Sequence, residues 1–147
     1  MIMRILLAAL AVTASVGVVL AQSDAIKTRE HLMKENNDHA KVVVEMVKGQ
    51  SPYDAKAVAA AFDQWADTAQ KLPGLFPDNS KTGEKTRASP KIWENKKDFD
   101  EKAVAFGKAV ADNRAKAVGS LDGLKLAINA VGKACSNCHE DYRLKQN

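Results

Sequence analysis

From Asp24 to Lys48 apolar residues return once per heptad, at Ile26, Met33, Ala40 and Val47, with Val43 and Val44 beside them. That is the inner stripe of an amphipathic helix, and its other faces are polar. No Gly or Pro interrupts it, Ser23 or Asp24 is placed to cap its start, and Gly49 is placed to stop it. A second helix is predicted from Pro52 to about Lys71, opened by Ser51-Pro52-Tyr53-Asp54, with Val58, Ala61, Phe62 and Trp65 inward and Leu72-Pro73-Gly74 as its end. Ser89-Pro90 repeats the cap-and-proline signature and opens the longest helix, to about Val118. Its core face is Phe99, Ala103, Phe106, Val110 and Ala117, extended at the start by Ile92 and Trp93. Gly119 closes it and Ser120 caps a fourth helix, in which Leu124, Ile128, Val131, Cys135, His139 and Tyr142 share one stripe.

Between Leu72 and Ser89 the helical period is lost, and the stretch is longer than most connections in compact domains. It reads as a loop that crosses the bundle or covers the edge of a cofactor; its Lys81, Lys85 and Arg87 read as solvated charges first and as a docking patch second. No window alternates with period two for long enough to make a strand. Four helices joined by short connections and one long one predict an all-α, antiparallel four-helix bundle.

The chain's first residues give it an address. Met1 to Arg4 are a short positive start, Ile5 to Leu20 are apolar or small apart from Thr13 and Ser15, and Val19-Leu20-Ala21 suits a signal peptidase. Residues 1–21 are therefore expected to be a cleaved leader, too short in its apolar core for a comfortable membrane span, and residues 22–147 a single domain. No stable membrane insertion is expected after cleavage. The mature chain loses Arg4, leaving 21 Lys and Arg against 18 acids. A charge that balanced and interspersed argues against nucleic acid as a partner.

Chemistry concentrates near the end, at Cys135-Ser136-Asn137-Cys138-His139. In a Cys-x-x-Cys-His pattern two thiols can add across the vinyl groups of a haem while the adjacent imidazole becomes an axial ligand of its iron. A redox disulfide or half of a zinc site are the competing readings of the cysteines. Neither uses the histidine: a zinc site needs two more ligands, and His31 and His39 lie far away in sequence. The expected cofactor is one haem c held by two thioethers, on the core face of the fourth helix. No acid, base and nucleophile set suggests an enzyme.

An exported, all-helical chain of this size that ends in Cys-x-x-Cys-His resembles the class II cytochromes c, the cytochrome c prime family. Gly49-Gln50-Ser51-Pro52-Tyr53-Asp54 is similar to the family's link between its first two helices, Ser89-Pro90-Lys91-Ile92-Trp93 to the start of its third, and Cys138-His139-Glu140-Asp141-Tyr142-Arg143 to the close of its fourth. The resemblance implies two branches: five-coordinate proteins that bind nitric oxide or carbon monoxide, and six-coordinate low-spin electron carriers with a methionine on the first helix. Leu32-Met33-Lys34 is similar to the low-spin pattern. The resemblance also implies that Arg29 lies near a haem propionate, with a plain surface charge as the other reading, and that the chain can form a homodimer through its first two helices; Trp93 is a further cofactor-binding candidate, and Arg143, one turn after His139, is placed to modulate that ligand's electrostatics or to cover the haem edge.

Helical phase tests the methionine independently. At about 100° per residue Met33 falls on the stripe of Ile26, Ala40 and Val47, whereas His31, Met46 and His39 lie about 200°, 220° and 240° away and should face elsewhere. A methionine on an apolar stripe is also the usual flexible core filler, and that reading stands beside ligation. The function expected is periplasmic one-electron transfer between transient redox-partner proteins, with iron bound by His139 and Met33. The alternative is a gas-binding protein in which Met33 only occludes an open site.

Overall fold

The computed structural model describes residues 2–83 and 86–145, with side chains from residue 24 onward. The leader expected over residues 1–21 has its side chains outside that range. Helix α1 (Ile2–Val47) runs through Ser23 and Asp24. The cap expected at Ser23 or Asp24 belongs to the chain after loss of residues 1–21, whereas here the helix enters from the leader. Among the described residues no helix is long and apolar enough to cross a membrane.

Helix α1 ends where expected. Gly49 takes a φ of +70°, its N–H donates to Met46 O and the Gln50 N–H donates to Glu45 O, the left-handed closure that glycine makes without steric cost. Helix α2 (Ala55–Lys71) begins three residues later than its proline signature predicts. Asp54 is the cap, extended at φ −128° and ψ 107°, and its carboxylate accepts from the Lys56 N–H at 2.8 Å. Tyr53 is held out of the helix by donating its hydroxyl to Ala117 O and Val118 O at 2.9 and 2.7 Å.

The predicted third helix is broken. A single turn, α3 (Lys91–Glu94), precedes α4 (Lys96–Gly119), with Asn95 between them at φ −127° and ψ 50°. Asparagine leaves helical backbone cheaply, and Ile92 and Phe99 on either side of the break are both buried. Ser120 caps α5 (Leu121–Tyr142) by accepting from the Gly123 N–H at 3.0 Å. Arg114 of α4 pairs with Asp63 of α2, and Lys102 near the start of α4 pairs with Asp141 at the end of α5, as antiparallel neighbours require. The long loop holds two short 3-10 turns, Leu72–Leu75 and Asp78–Ser80. It is tied to the chain end by an antiparallel bridge between Ala88 and Arg143. No strand is present among the described residues.

Four long helices thus form the bundle, and its apolar interior is divided. One cluster, built on Val43, Phe62, Trp65, Val110 and Leu124, fills the end near Gly49 and Ser120. A second, built on Leu72, Phe76, Ile92, Phe99 and Tyr142, closes the other end under the loop. Met46, expected to face away, is only 4% exposed and belongs to the first cluster. Near the end of α1 the neighbouring α2 covers a wider arc than one heptad stripe, so a position well off that stripe is still buried.

The tight corner between α4 and α5 can be tested at its glycines. A Cβ on Gly123 would lie 2.0 Å from Lys116 O, a backbone atom that cannot move aside, whereas one on Gly119 meets nothing within 4 Å. Gly123→Ala should therefore destabilise the fold by about 3 kcal/mol, at the upper end of overpacking costs. Gly119→Ala should be neutral or slightly stabilising, and paired denaturant titrations decide between them.

Candidate functional site

The two clusters are held apart by a cavity of about 770 Å³, within the range of about 300–1,000 Å³ usual for cofactor sites. Every long helix and the loop contribute to its wall. Helix α1 supplies Arg29, Met33, Asn36, Ala40 and Val44, the i, i+4, i+7 spacing of one helical face. Helix α5 supplies Ile128, Val131, Cys135, Cys138, His139 and Tyr142. Trp65 enters from α2, Phe99 and Phe106 from α4, and Leu72 and Phe76 from the loop.

The Cys-x-x-Cys-His residues therefore all reach one cavity. Cys135 and Cys138 are free, half-buried thiols, and burial pushes both of their pKa values up. Such groups stay protonated, unlike the low-pKa thiolates of redox disulfide motifs. His139 is half-buried too, and burial first, then the nearby Arg143 and Arg87 cations, pull its pKa down. At neutral pH its imidazole is uncharged and keeps a lone pair for a ligand. No cluster of three or more His, Cys, Asp or Glu that could hold a metal ion is found among the described residues.

The other predicted site residues separate. Met33 is the one methionine on the cavity wall among the described residues, and it packs against the Leu72–Phe76 cluster. His31 is exposed, His39 half-buried, and neither reaches the cavity. Arg143 is on the wall, though exposed. Trp93 is not on the wall; its neighbour Ile92 is. The Trp93 ring instead stands edge-on behind Phe76, with centroids 5.7 Å apart.

Arg29 is on the wall and only 5% exposed. It is a buried cation whose hydrogen bonds all go to loop oxygens; burial lowers its pKa and the neighbouring Glu30 carboxylate raises it, and its charge persists because a guanidinium does not discharge in proteins. Four hydrogen bonds run from it to the loop: NH1 donates to Leu75 O and Ser80 Oγ, and NH2 to Ser80 O and Thr86 Oγ1. Two wall residues lay beyond sequence reasoning. Phe76 sits in a loop without periodicity, and Arg87, read as a solvated charge, is half-buried against the cavity. Trp65 carried a signal as an inward residue of α2 but none that set it apart from core.

An apolar cavity of this size, two protonated thiols, a neutral imidazole and a buried cation fit a flat, dianionic macrocycle with an iron centre. The fold and site together define a haem-binding four-helix bundle. The chain belongs to the cytochrome c' family, whose description matches residues 24–143, and the cofactor is a covalently attached haem c. Cytochrome c-556 of Rhodopseudomonas palustris is 39% identical over 98% of this chain and 99% of its own. Cytochrome c' of the same organism is 38% identical over 88% of each. Among solved structures, cytochrome c' from R. palustris superposes with a TM-score of 0.80 at 35% identity, covering 84% of this chain and 98% of that one. The oxidised cytochrome c556 of that organism gives 0.77 at 40% identity, over 85% and 99%.

A cavity walled by so much apolar surface does not hold itself open. The chain prepared without haem should keep helical far-ultraviolet dichroism but lose its sharp thermal transition. A cooperative transition within a few degrees of the holoprotein would mean that the walls close on themselves.

Proposed function

We propose that this chain is an exported one-electron carrier in which Cys135 and Cys138 attach the haem and His139 and Met33 take the two axial positions. The observation that carries the reading is the cavity wall: His139 on α5 and Met33 on α1 stand on different helices around one cavity, while Met46 lies in the core and the first-helix histidines lie outside. Haem bound in this way supplies a one-electron couple between ferric and ferrous iron.

The residues of the chain shape that couple. A thioether is a soft donor that favours the ferrous state, and the aromatic and aliphatic walls penalise the extra charge of the ferric one, so both raise the potential. The charge of Arg29 at the cavity wall acts in the same sense. Residues 1–21 serve as the leader that takes the chain to the periplasm, where the mature domain meets its redox partners by weak, transient docking. A homodimer through α1 and α2 is compatible with the alanine-rich α2.

The second reading is a five-coordinate gas-binding protein. Similarity to a cytochrome c' at 38% identity favours it, as does likeness to the cytochrome c prime of Alcaligenes xylosoxidans, a point mutant of which was solved as its nitric oxide complex, at 31% identity and a TM-score of 0.73. In that case Met33 is the flexible filler that closes the cavity.

Two experiments separate these roles. The ferric protein should be low-spin, and Met33→Ala should turn it high-spin and create carbon monoxide binding; identical spectra for the two proteins would reduce Met33 to packing. Replacing both Cys135 and Cys138 by Ala should yield a polypeptide whose haem is removed by acidic organic extraction, whereas the wild-type chain should retain the haem mass.

A further inference from the structure

We propose that Arg29 is a positioning residue, a clamp that holds Leu75, Ser80 and Thr86 of the long loop over the cavity and so limits how often small ligands reach the Met33 side. The proposal rests on the low-spin reading for its ligand-binding part alone. A residue at a propionate would be expected to aim its donors into the cavity. Arg29 instead commits both terminal nitrogens to the loop: NH1 to Leu75 O at 3.2 Å and Ser80 Oγ at 3.1 Å, NH2 to Ser80 O at 3.2 Å and Thr86 Oγ1 at 3.3 Å. All four N–H bonds of these nitrogens are thereby used.

The acceptors are spread along the loop, so one guanidinium gathers residues 75, 80 and 86 to a single point on α1. Its carbon also lies 4.6 Å from the Phe76 ring centroid and 5.9 Å from that of Trp93, both at cation–π range. A second layer locks the same turn from outside. The Trp93 indole N–H donates to Phe76 O at 3.0 Å and Pro77 O at 3.2 Å, and the fully buried Ser80 hydroxyl donates to Pro77 O at 2.8 Å.

What the clamp holds in place is a wall of the site. Phe76 faces the cavity, and Met33, one turn after Arg29, packs against the cluster that Phe76 and Leu72 build. Opening the loop would remove the support behind the Met33 side chain and admit solvent to that face. Hydrogen bonds to a buried charge are the strong ones, so the loop's closure depends on Arg29 more than on its own short 3-10 turns.

Ser80→Ala and Arg29→Lys test this in the holoprotein. Ser80 is not on the cavity wall, so its substitution weakens the clamp without touching cofactor or ligand. Lysine keeps the charge of Arg29 but cannot reach four separated acceptors. Both variants should speed exchange of the Trp93 indole N–H about tenfold or more, and both should accelerate carbon monoxide association with the ferrous protein by a similar factor. Unchanged exchange in both variants would overturn the clamp. Acceleration in Arg29→Lys with Ser80→Ala like wild type would overturn it too, since Arg29 would then act on the cofactor and not through the loop. A lower melting temperature with unchanged carbon monoxide association would make the role merely structural. A high-spin wild-type spectrum would sink the low-spin reading while leaving the exchange comparison to decide the clamp.

Discussion

A four-helix bundle of this length would ordinarily close on a single core, and here it must keep about 770 Å³ open between two packed clusters. Apolar wall of that extent left to water would forfeit burial on which a marginally stable domain depends. The cofactor is therefore part of the hydrophobic core, and the placement of the helices follows from it. Aromatic residues line the walls because flat, wide side chains cover a flat group with few rotamers lost. The polar connections are pushed to the bundle ends, where Tyr53 ties α2 to α4 and Ser120 caps α5.

Electrostatics follow from the same enclosure. Burial keeps the thiols protonated and the imidazole neutral, the forms needed for addition to vinyl groups and for donating a lone pair. Arg29 remains charged although it is nearly inaccessible. A buried cation is costly in an apolar site, and it is tolerated because carbonyl and hydroxyl oxygens of the loop accept its hydrogen bonds and the Glu30 carboxylate acts on it. At the surface the charges behave differently. Lys34 and Lys41 flank Asp38 and hold its carboxyl down at about 2, but these groups are solvated and contribute little to stability.

Periodicity reads the interior of long helices well, because every turn must present an apolar residue to the same neighbour. The buried positions of α4 and most of those on α2 and α5 follow from spacing, as does the shared face of Cys135 and His139, while the fully buried Thr68 and Ala127 lie beside the predicted stripes. Ends and breaks depend on competition between local options that a sequence pattern weighs poorly. Ser51 and Asp54 both offer a cap, and Asp54 wins because Tyr53 is engaged by α4. Asn95 breaks a helix that its flanking residues would otherwise continue. The loop was legible as a loop with a covering role, but not its contents. Phe76 becomes a cavity wall and Ser80 a buried acceptor only through Arg29, a contact about fifty positions apart in sequence for which no periodic signal exists. Met46 shows the converse limit, since an angle from one stripe says where a side chain does not point and nothing of what else covers it.

Family relatives carry both cytochrome c-556 and cytochrome c' names on one fold, so the fold cannot choose between an electron carrier and a gas binder. The choice falls on whether one thioether stays at the iron, a contest between a soft ligand bond and the freedom of a side chain with three rotatable bonds. Met33 enters that contest with its rotamers already restricted by packing against the loop cluster, so less entropy remains to be lost on ligation. A firmly held loop then favours ligation twice, by narrowing the conformations of Met33 and by excluding the competing gas. On the proposed ligation, the loop residues, which carry no periodic signature, would join the helices in setting which function the haem performs.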